Sequence, residues 1–400
     1  MIKGQDFIVT SLQSWDIAIG STIKNTALEI SKNNRVLYLN TPLSYSTRFQ
    51  ANNRPENKYR FDLLKNKSNK LIRQINQNMW VLDCPFCILP IGKIKNQWLF
   101  DLLNKINNKR IAKHLAKYYK TLEFKDPILL IDNDIYRSFY LKELLRPKIS
   151  IYYRRDYVLE NPLWVHARRL EYSLVKKSNI VITNSPYFTN ELKRINPHTY
   201  TTNTGVDLAL YNIHKLSDLS PSDILSIPHP IIGYTGTVTN KRINEEFLLH
   251  LAHNRPNYSI VLVGPEDLFF TQSSLHQFKN VYFLGTKETQ SLPKYIANFD
   301  VCINPQKINN ITIGNYPLKI DEYLAMGKPI VATRTETMTH IFKDYALLAE
   351  TKEDFINLID SALLINTPES INKRIEFAHT HTWENSINKI YSFIKHYNHA

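Results

Sequence analysis

The sequence predicts an α/β protein made of two doubly wound, mostly parallel sheets, and three observations carry that prediction. Its 400 residues are too many for one ordinary core and suit two domains of about 200 each. Short apolar runs alternate with helical patterns through both halves of the chain, the rhythm of βαβ units. Between the halves, residues 205–229 break into Asp, Ser and Pro and end in Ile227-Pro228-His229-Pro230.

In the first half, apolar runs at 7–10, 36–39, 79–82, 128–131, 149–152 and 180–183 read as strands. Helical spacing marks 21–32, 95–122, 136–145, 163–177 and 187–195, while the polar stretch 42–62 reads as a loop. Proline removes a backbone donor and holds its predecessor extended, so 205–229 reads as the interdomain linker. In the second half, strands are expected at 231–235, 260–263, 281–284, 301–304 and 330–332. Helices are expected at 244–253, 292–298 and 317–326, with two more between 352 and 379. Thr382 can cap a last helix at 383–397.

A composition of 43% hydrophobic and 22% charged residues is that of a folded globular chain, not a disordered one. Lys and Arg exceed Asp and Glu by 50 to 36, a net charge of +14 that favours anionic partners: nucleotide diphosphates, anionic lipid surfaces or nucleic acid. Charge alone does not choose among them. Residues 1–16 lack the apolar core of a signal peptide, and no uninterrupted apolar run reaches the ~18 residues of a membrane span. Three cysteines leave one unpaired in a chain too large to need disulfide staples, which points to the cytosol.

The most informative stretch is Asn315-Tyr316-Pro317-Leu318-Lys319-Ile320-Asp321-Glu322-Tyr323-Leu324-Ala325-Met326-Gly327-Lys328-Pro329. Pro317 suits a first helical turn, and amides exposed there form an anion site to which Lys319 adds a full charge. Glu322 lies three residues on, on the same face, where its carboxylate can accept hydrogen bonds from a ribose diol. Gly327 and Pro329 end the helix. Two readings fit: a nucleotide-sugar site, or a solvated ion pair between Lys319 and Glu322.

This segment resembles the donor-binding signature of the group 1 (family 4) glycosyltransferases, particularly those of teichuronic-acid and exopolysaccharide biosynthesis. Their version runs close to N-P-x-K-x-x-E-Y-L-A-x-G-K-P-V-V. The resemblance extends along the chain in order: Trp15-Asp16-Ile17-Ala18-Ile19-Gly20-Ser21, Arg35-Val36-Leu37-Tyr38-Leu39-Asn40, Asn203-Thr204-Gly205-Val206-Asp207, Ile232-Gly233-Tyr234-Thr235-Gly236, Val261-Leu262-Val263-Gly264-Pro265 and Asn280-Val281-Tyr282-Phe283-Leu284-Gly285. It implies a GT-B fold, with two Rossmann-like domains facing a central cleft. The implied domains are an acceptor side at 1–205, a donor side at 206–380 and a final helix, 381–400, returning to the first domain. Glu322 falls on the second carboxylate of the family's E-x7-E pair, which holds the ribose. The first carboxylate's position is Gly314, which implies that Gly314, Asn315 and Tyr316 meet the donor sugar through backbone amides.

On that resemblance the donor site comprises Gly20, Gly236, Gly264, Lys241, Arg242, Lys319 and Glu322, with Gly285, Thr286 and Lys287 in a loop for the base. Asp156 follows an apolar strand and lies where relatives carry an acid that orients the acceptor hydroxyl or accepts its proton; Asp132-Asn133-Asp134 is similarly placed. A strand-end cap is the plain alternative for both. Lys319 doubles as the catalytic cation on the departing diphosphate. The resemblance implies retaining transfer with no metal and no cofactor beyond a nucleotide-sugar co-substrate, UDP- or GDP-linked.

The expected partners are that donor, a glycan or lipid-linked acceptor and an anionic membrane surface, with no nucleic acid. The protein is placed in the cytoplasm, peripherally at the inner face of the membrane. A nucleotide-sugar 2-epimerase on the same frame, or a non-catalytic binder of anionic ligands or membranes, is the alternative. Cys84 and Cys87 read as thiols without chemistry, since zinc would need two further ligands at suitable spacing. The helix at 95–122 groups Trp98, Leu99, Leu102, Leu103 and Ile106 on one face and Lys105, Lys109, Lys113, Lys117 and Lys120 in a rough basic stripe on another. A face packed into the core, or a surface for anionic lipid, both fit.

Overall fold

The computed structural model describes residues 2–16, 21–46, 55–66, 71–157, 164–216 and 220–399. The chain divides into two units, one of Met1–Asn184, Phe188–Thr202 and Ile387–Ala400, the other of Ser185–Tyr187 and Asn203–Ser386.

The first unit is organised on an eight-stranded sheet. Its strands are β1 (Asp6–Ser11), β2 (Arg35–Leu39), β4 (Ile72–Asn76), β5 (Met79–Leu82), β7 (Ile128–Asp132), β8 (Ile149–Arg154), β9 (Ile180–Thr183) and β10 (Thr199–Thr201), while β3 (Leu43–Ser44) and β6 (Cys87–Ile88) pair separately. The order is β10-β9-β8-β7-β1-β2-β5-β4, parallel except where β4 pairs antiparallel with β5. A parallel sheet must be covered on both faces, so its strands read as unbroken apolar runs. In β1, Ile8 joins the layer of Leu37, Leu129 and Tyr152, while Phe7 and Val9 join Val36, Leu130 and Ile151 on the other face. The second layer is covered by helix Thr22–Ser31, through Ile23, Ala27 and Ile30, and by helix Trp383–His399, through Ile387, Ile390, Tyr391 and Ile394. Asn34 donates to the Tyr391 hydroxyl at 2.7 Å and ties that last helix down.

The second unit holds a six-stranded, wholly parallel sheet in the order β13-β12-β11-β14-β15-β16. Its strands are β11 (Ile231–Thr235), β12 (Ser259–Val263), β13 (Val281–Gly285), β14 (Val301–Asn304), β15 (Ile330–Thr333) and β16 (Leu347–Ala349). The order reverses beside β11, and such a switch point opens a crevice at the carboxyl ends of β11 and β14. One face packs on helices Glu245–Asn254 and Lys352–Leu364, the other on helices Leu292–Ala297 and Lys319–Ala325.

Several expectations are corrected. Residues 42–62 are not all loop, since β3 and helix Pro55–Asn66 lie there. The helix expected at 136–145 is only Leu141–Leu145, because residues 135–140 form turns. Strands β4 and β10 and helix Glu336–Phe342 were unmarked by any sustained apolar run, while β16 lies in the apolar run 345–349 that was not read as a strand. The stretch read as a linker packs into the second core through Tyr211, Ile224 and Ile227. Residues 203–205 and 381–386 also belong to the second unit. Val206 donates to the His381 carbonyl at 2.9 Å, and Gly205 lies so close to Trp383 that a Cβ would come within 2.4 Å of its backbone nitrogen.

Helix Gln97–Thr121 turns opposite to the core-packed reading. Its buried face is Phe100, Asn104, Asn107, Asn108, Ile111 and Leu115, leaving Trp98, Leu99, Leu102 and Ile106 outside. Two of its three buried asparagines are matched, since Asn107 bonds both the Leu89 amide and its carbonyl and Asn108 bonds the Tyr136 carbonyl and the Tyr140 amide. Asn104 accepts from Asn108 and leaves its own Nδ2 without a partner. A polar face can be buried when its groups are paired this way.

Candidate functional site

The second unit carries a cavity of about 280 Å³ at the switch point. Its wall combines the end of β11 (Tyr234, Thr235, Gly236), the end of β14 (Asn304), Arg242, and the start of helix Lys319–Ala325. That helix is held at both ends. The Tyr323 hydroxyl accepts from the Thr235 amide at 2.8 Å, joining the helix to β11. Asp321, fully buried, accepts from the Tyr316 hydroxyl at 2.6 Å and lies 2.7 Å from Nδ1 of His381. At the other end Gly327 adopts φ +68°, the left-handed conformation that closes a helix.

Lys319 sits at the first position of that helix, its Nζ 3.6 Å from the centroid of the Tyr234 ring. No carboxylate lies within 4.0 Å of it among the described residues, so the Lys319–Glu322 ion pair is absent. Burial pulls the Lys319 pKa down to about 7, with Glu322 opposing and Arg242 adding to the shift. Burial likewise pushes Glu322 up to about 7, against the Tyr211 hydroxyl and Lys319. The cavity also presents unmatched polarity. Nδ2 of buried Asn304 has no hydrogen-bond partner, while the buried Tyr211 hydroxyl, behind the cavity wall, is directed at Glu322. Unmatched buried donors are rare in folded proteins and mark a place where a ligand completes the bonding.

The sequence-expected residues divide into three groups. Gly236, Arg242, Asn315, Tyr316, Lys319 and Glu322 line the cavity. Gly236 has φ +128°, and a Cβ there would come 2.9 Å from Nζ of Lys319. Gly264 supports it from behind: at φ +153° a Cβ would stand 2.0 Å from the Gly236 carbonyl oxygen. The remainder lie off the cavity wall. Lys287 is paired with Asp223 at 2.7 Å, and Gly285 turns at φ +67° with Thr286 following it. Lys241 is exposed, and Gly314 is buried in the turn before the helix. The Asn315 amide is already used, donating to the Thr312 carbonyl at 2.9 Å, and the Tyr316 hydroxyl serves Asp321. Gly20 lies outside the described residues.

In the first unit a cavity of about 860 Å³ is lined by Leu43, Ile88, Ile91, Trp164, Asp134 and Arg137, among others. Asp134 lines it and Asp156 does not. Asp156 is half-exposed, 3.6 Å from Arg155. Asp132 is committed to Arg155 at 2.5 Å and accepts from Ser11 at 2.7 Å, so it acts as a buried structural partner. Burial raises the Asp134 carboxyl, while bonds from Arg137 and Ser138 oppose that. Burial also pushes the thiols of Cys84 and Cys302 well up, away from the reactive thiolate. Among the described residues no group of His, Cys, Asp and Glu could hold a metal ion, and no helix is long and apolar enough to cross a membrane.

Sequence reading missed Tyr211, Asn304 and Asp321. Asn304 carried a usable signal, a polar residue closing an apolar strand where open α/β sheets bind ligands. Tyr211 did not, because it lies in the stretch read as linker.

Comparison with known proteins bears on the same unit. Residues 229–364 match the family described as glycosyl transferases, group 1. TuaH of Bacillus subtilis (strain 168), which bears the name of a teichuronic acid biosynthesis glycosyltransferase, is 24% identical over 225 residues. That match covers 53% of this chain and 56% of the relative, so it spans little more than half of either. Among solved structures, sucrose-phosphate synthase of Thermosynechococcus elongatus superposes with a TM-score of 0.68 at 13% identity, over 99% of this chain and 100% of its own. HepE of Anabaena in complex with UDP-glucose superposes at 0.63 and 16% identity, over 96% and 99%. At these identities the likeness shows the fold, which is that of GT-B proteins.

Proposed function

We propose that this chain, whose second unit is a group 1 glycosyl transferase domain within a GT-B fold, transfers a sugar from a nucleotide-sugar donor to a glycan or lipid-linked glycan acceptor. The observation that carries the reading is the Lys319 ammonium, partly buried at the sheet switch point with no carboxylate to neutralise it. A cation held out of water without a counter-ion is costly, and a diphosphate is the ligand that recovers the cost. Arg242 on the same wall supplies a second charge. Glu322, three residues along the helix, is placed for a ribose diol, and the unmatched Asn304 amide is a free donor for phosphate or sugar oxygen. The Anabaena protein HepE is known in complex with UDP and with UDP-glucose, which agrees with a UDP-sugar donor.

The chemistry follows from charge. As the glycosidic bond to the diphosphate breaks, negative charge grows on the leaving oxygen. Preorganised Lys319 and Arg242 stabilise it without reorganisation at the moment of reaction, the task a metal performs in other transferases. In this reading transfer retains anomeric configuration, requires no metal or other cofactor, and takes place on the cytoplasmic side in surface polysaccharide synthesis. Asp156 or Asp134 orients the acceptor hydroxyl.

Thermal shifts against UDP-, GDP-, ADP- and dTDP-sugars test the donor site, since a ligand that binds only the native state must stabilise it. One nucleotide-sugar should raise Tm, and Glu322→Ala should remove the rise. No response from folded protein across the panel overturns the reading, and conversion of the donor without acceptor would mark an epimerase instead.

A further inference from the structure

Helix Gln97–Thr121 carries the surface feature that the donor site leaves unused. Its outward face is divided along the axis. The first turns expose Trp98 (73%), Leu99 (40%), Leu102 (43%) and Ile106 (47%), a strip about 12 Å long at 1.5 Å per residue. Among the described residues the other exposed large apolar side chains come singly or in adjacent pairs along the sequence. The remaining turns expose Lys105, Lys109, Lys113, Lys117 and Lys120, about 22 Å of positive charge. They lie on this same face and not on the separate one expected from the sequence, because 3.6 residues per turn brings them over the same arc. The helix has one acid, Asp101, and Arg169 takes it at 2.6 Å. Core packing explains neither half, because the core is met by Phe100, Asn104, Asn107, Asn108, Ile111 and Leu115 on the opposite side.

Water is a poor partner for this arrangement. Lysines spaced at i,i+4 repel one another and weaken the helix that bears them, and an exposed indole flanked by Leu and Ile leaves apolar area wet. A surface of negative charge over an apolar interior resolves both at once.

We propose that this face docks the protein on an anionic lipid bilayer, with Trp98, Leu99, Leu102 and Ile106 entering the headgroup boundary and the lysine row lying on lipid phosphates. Tryptophan with aliphatic neighbours belongs at such a boundary, and lysines on long flexible stems reach phosphates that have no fixed geometry. A protein partner would call instead for arginine forks and a shaped apolar pocket, and the face has a row of lysines. Asn107 of this helix clamps Leu89, whose neighbours Ile88 and Ile91 line the first unit's cavity, so docking holds that cavity's wall close to the headgroups. The proposal does not depend on the donor reading, and its test uses no nucleotide.

The experiment is co-sedimentation of the full chain with vesicles of phosphatidylcholine alone and of phosphatidylcholine with phosphatidylglycerol in equal parts, at low and high salt. Wild type should partition onto the anionic vesicles, weakly onto neutral ones, and release as salt rises. Near an anionic surface each lysine is worth roughly a five-fold change, so Lys105→Gln/Lys109→Gln/Lys113→Gln should lose on the order of 100-fold in partitioning. Trp98→Ser/Leu102→Ser should weaken binding on anionic vesicles while Tm stays unchanged, these side chains being exposed. Indole emission on vesicle addition should shift to the blue in wild type and shift less in Trp98→Phe. No partitioning, equal partitioning onto neutral vesicles, or undiminished binding by both variants overturns the proposal. So does a concentration-dependent dimer that dissociates in Trp98→Ser/Leu102→Ser while vesicle binding persists, since the face would then belong to a second copy.

Discussion

Replacing Lys319 by Met should make the unliganded protein more stable and abolish its response to the donor, two effects of opposite sign from one substitution. Lys319 is held in a site that lowers its pKa from 10.5 to about 7, chiefly by taking the ammonium out of water. At about 1.4 kcal/mol per pH unit that fall corresponds to about 5 kcal/mol against the charged form. Water reaches the open side of the cavity and screens part of it, leaving on the order of 2 kcal/mol. Met keeps the stem's packing over Tyr234 and drops the charge, so at pH 6 the variant should be more stable by that amount. For a unit of this size that raises its Tm by about 4–8 °C.

The pH dependence gives the sign a second check. Between about 7 and 10.5 the unfolded chain holds the Lys319 proton and the folded chain does not, so wild-type stability gains from this group as pH rises. The Met variant has no such group. The gap between the two should therefore be widest below pH 7 and close toward pH 10. Differential scanning calorimetry of both proteins at pH 6, 8 and 9.5, with and without the stabilising nucleotide-sugar, reads all of this. A variant no more stable than wild type at pH 6, or one still stabilised by the donor, would refute the argument that Lys319 is an uncompensated cation kept for an anion.

Four further outcomes follow from the same geometry. Donor affinity in wild type should fall about tenfold per pH unit above about 7, because binding the diphosphate requires Lys319 protonated; calorimetric titration with a nucleotide-sugar, whose diphosphate is ionised throughout, would show it. Glu322→Gln should weaken donor binding by about tenfold, the loss of a charged acceptor to the ribose, and an unchanged Kd would remove Glu322 from the site. Gly264→Ala should cost about 2–3 kcal/mol or prevent folding, because its Cβ would stand 2.0 Å from the Gly236 carbonyl oxygen; an unaltered Tm would contradict that close approach. Ile390→Ala should cost about 2–4 kcal/mol in the first unit, since Ile390 is buried against its sheet, and urea denaturation would measure the loss.

What was legible in the chain was whatever local chemistry dictates. Strands Met79–Leu82, Ile180–Thr183, Ile231–Thr235 and Val301–Asn304 are buried on both faces, so their residues had to be apolar without interruption and could be read directly. The helix bearing Lys319 and Glu322 was announced by Pro317 before it and Gly327 after it. Strands β4 and β10, with partly exposed residues at the sheet's edges, carry no such compulsion and went unseen.

The sequence by itself therefore determined the two α/β sheets and the helix start with its cation and carboxylate. Only the tertiary structure decided which side of helix Gln97–Thr121 faces inward, because paired asparagines can be buried and unpaired leucines left out once partners at Leu89, Tyr136 and Tyr140 come within reach. Only it showed that Lys319 has no carboxylate within ion-pair distance, that Asn304 has an unmatched donor, and that Asp132 is taken by Arg155. Whether a polar group is satisfied depends on residues far away in sequence, and no local pattern encodes that.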